Sequence, residues 1–174
     1  MDKIESFTPA AAGRVPFCHA LEAFRLRCKA QNLTPLTIDW YEWRLKGFTR
    51  FLESKGVTEA REVTPHLIRL YLDGMRDRGV GSGTVARDYG VLKCLFRFLA
   101  RDRLIPQNPL TLVEKPRMEK KLIRPLSMDQ ARLLLAHAKK KTFLGQRIWT
   151  IAVLILDTGL RISEVIPSST IETA

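Results

Sequence analysis

Ser82-Gly83-Thr84-Val85-Ala86-Arg87-Asp88-Tyr89-Gly90-Val91-Leu92-Lys93-Cys94-Leu95-Phe96-Arg97-Phe98-Leu99 is the stretch from which the fold can be read. Val85, Tyr89, Leu92, Phe96 and Leu99 recur at alternating steps of four and three, the spacing that gathers side chains on one side of an α-helix. The pattern predicts a helix from about Ser82 to about Arg103, with that stripe turned to a core. Stepping from Arg87 in the same way gives Gly90, Cys94, Arg97 and Arg101, with Lys93 beside them. This second face is basic at both ends and small in the middle. It can approach a phosphate backbone closely, its arginines reaching phosphate oxygens or guanine edges. The competing explanation is an ordinary solvated face, the usual fate of charge on a helix.

Charge over the whole chain favours the first explanation. Twenty-nine Lys and Arg against eighteen Asp and Glu leave a net charge of +11 over 174 residues, which calls for a polyanionic partner. Nucleic acid is the leading candidate, ahead of an acidic membrane surface, and no small-molecule substrate is expected. A hydrophobic content of 45% is enough for packed cores in one ordinary domain or two small ones. No apolar run reaches the ~20 residues of a membrane span. The first residues, with Asp2 and Glu5, lack the order of a signal peptide, so the expected location is the cytoplasm, on the nucleoid. Cys18, Cys28 and Cys94 are odd in number and widely spaced, which points to reduced thiols and to no metal site.

Upstream of the opening stretch the reading is helical throughout. Residues 1–15 have no period and are expected to form a loose arm. Phe17, Leu21, Phe24 and Cys28 predict a first helix over about 16–31, with Glu22, Arg25, Arg27 and Lys29 on its wet side. Thr34-Pro35 and Thr64-Pro65 each read as an N-cap followed by proline at the first helical position. The second helix, over 35–54, should bury Tyr41, Leu45, Phe48 and Leu52 and show Lys46 and Arg50 as weaker candidates for DNA contact. A third helix runs through Leu67, Leu70, Tyr71 and Met75 to Gly79.

Downstream, Pro106, Pro109, Pro116 and Pro125 break any helix. Residues 105–125 are therefore expected to form an extended connector. Its Lys115, Arg117, Lys120, Lys121 and Arg124 would lie along a charged backbone or simply in water. Ser127-Met128-Asp129-Gln130 is a cap signal for a helix to about Lys141, with Lys139-Lys140-Lys141 at its end. Residues 144–158 carry β-branched residues but are too long for a strand, so a buried helix is expected. Gly159 suits a left-handed turn, and Arg161 follows in the first turn of the next helix. A cation there opposes the helix dipole. It is explained either by an anion bound nearby or by a carboxylate such as Glu164.

Thr158-Gly159-Leu160-Arg161-Ile162-Ser163-Glu164 resembles the motif that carries the first catalytic arginine of the tyrosine recombinases, the phage-integrase family of site-specific DNA recombinases. Other stretches are similar to that family in the same order. Thr37-x3-Tyr41-x3-Leu45-x2-Phe48-x2-Phe51-Leu52 looks like its second helix, and Ser82-x-Thr84-Val85-x-Arg87 with Phe96-x-Phe98-Leu99 like its fourth. Leu104-Ile105-x2-Asn108-Pro109 and Pro125-Leu126-Ser127 follow. The resemblance covers about residues 17–165 and implies a mainly α fold. A four-helix SAM-like core-binding domain over 16–104 would precede a catalytic domain begun at 126–174 and incomplete. It also implies duplex DNA and other recombinase protomers as partners, no cofactor, and a phosphotyrosine transesterification in the complete family member.

By the same resemblance Arg161 matches the arginine that grips the scissile phosphate. Its planar, permanently charged fork suits that task. Glu164 would support it rather than react. Arg87, Lys93 and Arg97 are the first choices for DNA contact, then Arg101, Lys46, Arg50, Lys120, Lys121 and Arg124. The family's lysine on a hairpin, His-x-x-Arg pair and tyrosine nucleophile lie downstream of this motif, and only ten residues follow Glu164 here. Tyr41, Tyr71 and Tyr89 all lie upstream, and His66-Leu67-Ile68-Arg69 spells His-x-x-Arg on the wrong side of Arg161. Pro167 would interrupt the last helix, so a truncated or frameshifted product, or an artificial boundary, is expected. Such a chain is expected to bind duplex DNA without cleaving it. A short regulator that blocks an intact recombinase, and a basic helical module for RNA or protein, are the other two readings.

Overall fold

The computed structural model describes residues 14–119, 122, 124–137 and 142–165. Among them there are α-helices and 3-10 turns and no strand. They fall into two compact units on either side of residues 120 and 121.

The first unit holds four helices: α1 Phe17–Ala30, α2 Pro35–Ser54, α3 Pro65–Asp77 and α4 Ser82–Arg101. Local chemistry sets their starts. Thr34 Oγ1 accepts from the Thr37 amide at 3.3 Å and Thr64 Oγ1 from the Leu67 amide at 3.3 Å, each just ahead of a proline that has no N–H to lose. Helix α4 is the central element and packs against α1, α2 and α3. Its predicted stripe is buried throughout, Val85, Phe96 and Leu99 completely. The core centres on Phe48 of α2, whose ring meets Phe17 at 5.9 Å, Tyr71 at 5.0 Å and Phe96 at 6.2 Å, mostly edge to face. One aromatic from each of α1, α3 and α4 thus closes on a single ring.

Three expectations for this unit are corrected. Helix α3 buries Ile68 and Leu72 with Tyr71 and Met75, and Leu70 faces out. Apolar residues at 67, 68, 70, 71, 72 and 75 contain two overlapping helical stripes, and only packing against α4 chooses between them. Arg27 is not on the wet side of α1: it is half-buried, its guanidinium over the rings of Phe24 and Phe98. The first unit also does not end at 104. Ile105, Leu110 and Val113 are buried with the core, and Pro109–Leu112 forms a 3-10 turn against α3 and α4. Tyr89 donates its hydroxyl to the Val113 carbonyl at 2.9 Å, Arg69 donates to the Leu112 carbonyl, and the Glu119 amide donates to Ser82 Oγ at 3.2 Å. The prolines do stop helices there, but the apolar residues between them have a core to join.

The second unit holds α5 Met128–His137, α6 Phe143–Thr158 and the short α7 Ile162–Val165. Ser127 and Gln130 cap α5 reciprocally, the Gln130 amide on Ser127 Oγ at 3.2 Å and the Ser127 amide on Gln130 Oε1 at 2.9 Å. Lys139, Lys140 and Lys141 lie outside the described residues. The ambiguous segment is a helix, capped by Thr142, but it is not buried. Phe143, Leu144, Ile148, Leu154 and Leu156 are exposed, and Gly145 is its one buried residue among those described. Among the described residues of this unit only α5, with 10 residues, and α7, with 4, stand beside the 16-residue α6, too little surface to cover an apolar helix.

Candidate nucleic-acid interface

Because α4 is enclosed by three helices and the 3-10 turn, little of it is left for solvent. Arg87, Lys93, Cys94, Arg97 and Arg101 are exposed, and Gly90 is half-exposed between them. The strip therefore runs most of the helix length with a cation at every turn except where Gly90 and Cys94 leave it flat. Among the described residues nothing beyond α4's own backbone and the neighbours of Gly90 in the chain stands within 4 Å of where a Cβ on Gly90 would be, so the middle of the strip is open space. Arg101 Nε is paired with its neighbour Asp102 at 3.1 Å. Arg87, Lys93 and Arg97 have no acidic partner within ion-pair distance among the described residues.

The rotation that turns this strip outward is held from the opposite side by Asp88. Its carboxylate is buried, with Arg44 Nη1 at 2.6 Å from Oδ1 and the Tyr71 hydroxyl donating to Oδ2 at 3.1 Å. Helices α2, α3 and α4 thus meet at one carboxylate. The Arg44 guanidinium also lies 5.5 Å from the Trp40 ring and 5.0 Å from the Trp43 ring. Burial, then the Asp88 charge and its hydrogen bond, push the Tyr71 hydroxyl far above its usual range, so it remains a donor. The sequence reading passed over this network, since a lone Asp between Arg87 and Tyr89 looks solvated. Its one signal is that position 88 lies only ~20° beyond the edge of the core stripe on the helix.

The remaining candidates are placed differently. Lys46 and Arg50 on α2 are exposed and open on a groove of about 420 Å³ between α1 and α2, shared with Glu42 and Glu53. The acids there dilute the positive potential, in contrast to the α4 strip. Arg124 is exposed in the second unit, and Lys120 and Lys121 lie outside the described residues.

Arg161 and Glu164 are brought together. Gly159 has φ 72° and its amide donates to the Ile155 carbonyl at 2.9 Å, so the chain reverses at the left-handed position expected. Glu164 then reaches back: Oε2 accepts from the Arg161 amide at 2.7 Å and Oε1 lies 3.4 Å from Arg161 Nη1. The carboxylate caps α7, and the Arg161 side chain stays 82% exposed. Pairing with Glu164 and availability to an anion are therefore both realised in one arrangement. None of the three tyrosines is near it in sequence: Tyr71 and Tyr89 spend their hydroxyls on Asp88 and on the Val113 carbonyl, and Tyr41 is half-buried between α1 and α4. His66 and Arg69 sit on α3, where Arg69 holds the 3-10 turn. Among the described residues no group of His, Cys, Asp and Glu has the makings of a metal site, and no helix is long and apolar enough to cross a membrane.

Comparison with known proteins agrees with this architecture. Residues 24–103 match the phage integrase, N-terminal SAM-like domain. Tyrosine recombinase XerC of Bacillus pumilus (strain SAFR-032) is 31% identical over 134 residues, 77% of this chain and 44% of the relative. A lambda integrase dimer bound to a COC′ core site has a similar structure, with a TM-score of 0.75 at 16% identity over 93% of this chain and 45% of that one. A lambda integrase tetramer bound to a Holliday junction gives 0.75 at 17% identity over 94% and 45%. At such identities the two structures bear on the fold alone. The chain spans less than half the length of the curated relatives it matches. The matched domain begins in α1 and ends just past α4, and the motif around Arg161 follows it in order; the chain belongs to the tyrosine recombinase, or phage integrase, family.

Proposed function

We propose that this chain binds double-stranded DNA, as part of a site-specific recombinase, through the exposed strip of α4. The observation that carries the reading is that strip: Arg87, Lys93, Arg97 and Arg101 are exposed on one side of a helix whose other sides are buried. A rigid helix with long cations flanking a flat centre fits a groove edge, where phosphate contacts position and arginines reach base edges. The lambda integrase structures of the same fold, described as DNA complexes in dimeric and tetrameric form, support duplex DNA and further protomers as partners. Arg161, held by Glu164 and still exposed, is proposed to grip a phosphate in the unit that follows, which we read as the start of a catalytic domain. With the hydroxyls of Tyr71 and Tyr89 engaged in the first unit and Tyr41 half-buried there, the 174-residue chain is proposed to bind without forming a covalent adduct.

The test is duplex binding by fluorescence anisotropy over a series of KCl concentrations. Arg87→Ala together with Arg97→Ala should lower the slope of log K against log salt by about 1.8, from ~0.9 per phosphate contact. An unchanged slope and affinity would remove α4 from the interface. A covalent DNA adduct surviving denaturation would overturn the non-cleaving part.

A further inference from the structure

Where the α4 strip ends, a cavity of about 450 Å³ opens between α1 and α4. Its floor is aromatic, from Phe24, Tyr41 and Phe98, and Arg27, Arg97 and Arg101 open on it. Among the described residues no carboxylate lines it. Asp102, outside the lining, pairs with Arg101 Nε, which leaves Arg27 and Arg97 without an ion-paired carboxylate among the described residues, an arrangement relieved when an anion enters the hollow.

Arg27 is the informative member, because nothing in the α4 pattern includes it. Its guanidinium is stacked 5.9 Å from the Phe24 ring centroid and 5.3 Å from that of Phe98. Its Nε is fully buried with no hydrogen-bond partner among the described residues. Arg25, two residues earlier on the same helix, is by contrast neutralised by Glu42 at 2.9 Å. A guanidinium fixed by aromatic rings has already lost much of its rotamer freedom, so binding an oxyanion costs it little further entropy.

We infer that this cavity seats a backbone phosphate of the bound duplex, with Arg27 of α1 joining Arg97 and Arg101 of α4 as its ligands. The inference rests on the DNA-binding reading and adds a second helix to the interface. The phosphate takes the cationic rim, and the adjoining deoxyribose lies against the aromatic floor. Contact at this end of α4 would fix how far the helix slides along the groove.

The experiment uses the full 174-residue chain. Arg27→Met keeps an unbranched stem over Phe24 and Phe98 but removes the charge, and Arg25→Met is the control on the same helix. In the salt series Arg27→Met should lower the slope by ~0.9, which is a loss of about eightfold in affinity at 0.1 M salt if the 1 M intercept is unchanged. Arg25→Met should leave the slope as it is. Cys94, exposed in the same cavity, supplies a readout on the unaltered protein: a duplex should slow its alkylation by iodoacetamide relative to Cys18, exposed at the start of α1.

An unchanged slope for Arg27→Met overturns the inference while leaving the α4 reading in place if Arg87→Ala and Arg97→Ala still weaken binding; no protection of Cys94 by saturating duplex overturns both, since Cys94 lies on the α4 strip as well as in the cavity. Equal protection of Cys94 by inorganic phosphate at the same phosphate concentration also overturns it, since the cavity would then be a free-anion site. Failure of the unaltered chain to bind any duplex removes the DNA reading itself, and this inference falls with it. Should Arg27→Met fail to fold, Arg27→Gln, which removes the charge but keeps a polar end beside the same rings, supplies the slope with the same two outcomes.

Discussion

Replacing Asp88 with Ala is expected to cost the first unit about 3–5 kcal/mol, because it leaves Arg44 as a buried cation without its counter-charge. The side chains of Arg44 and Asp88 are 10% and 8% exposed and 2.6 Å apart, so water cannot substitute for the lost carboxylate. The Tyr71 hydroxyl loses its acceptor in the same step. Stacking of Arg44 near Trp40 and Trp43 is present before and after the change and does not offset it. Arg25 and Glu42 form the internal comparison, 2.9 Å apart but 53% and 47% exposed, for which Glu42→Ala should cost only ~0.2–1 kcal/mol. Urea unfolding followed by tryptophan fluorescence reads both, with Trp40 and Trp43 beside the pair. At ~1–3 kcal/mol per molar urea, Asp88→Ala should lower the midpoint by at least about 1 M. Asp88→Leu with Arg44→Met should be less damaging than the sum of the two single changes, since an apolar pair leaves no charge stranded. If Asp88→Ala costs no more than Glu42→Ala, the carboxylate does not bind the three helices together, and the account of how α4 is oriented fails.

Tyr71 should also impose a pH dependence. Its folded value is raised above the unfolded value of ~10, so its contribution is complete below that pH and is lost as pH rises beyond it, by at most ~1.4 kcal/mol per pH unit. Urea midpoints at pH 8 and 11 should therefore fall further for the unaltered chain than for Tyr71→Phe. Gly47→Ala, despite the ~1 kcal/mol helix gain usual for that change, should bring no stabilisation, because the new Cβ would stand 3.0 Å from the Tyr71 hydroxyl that Asp88 holds in place. Thermal melting tests this, and a rise of several degrees in Tm would show that Tyr71 yields. A chain ending at residue 104 should be markedly less stable than one ending at 119, having lost Ile105, Leu110, Val113 and the acceptor of Tyr89. Equal urea midpoints for the two would restore 105–119 to the status of a connector.

Much of the first unit was legible because its signals are local. A threonine and a proline one residue apart place a helix start to the residue, as at Thr34-Pro35 and Thr64-Pro65, since capping involves only groups within one turn. The α4 stripe was equally plain: five apolar residues in phase leave no second choice, and the cations out of phase with them had to face outward. Helix α3 was less so, because six apolar residues in nine positions carry two phases at once. Residues 105–113 misled for a related reason. Their prolines correctly denied a helix, but absence of helix is not absence of burial.

The sequence by itself determined where each helix of the first unit begins, which side of α4 is basic, and that Gly159 turns the chain ahead of Arg161, since each depends on residues within a turn or two of one another. Tertiary structure decided which charges are buried and what they do. Asp88 meets Arg44 across 44 residues, Tyr89 meets the Val113 carbonyl across 24, and Arg27 shares a cavity with Arg97 across two intervening helices. No periodicity encodes such pairs, because they form only when separately specified helices pack and the cost of burying a polar group demands a partner from whichever element lies opposite.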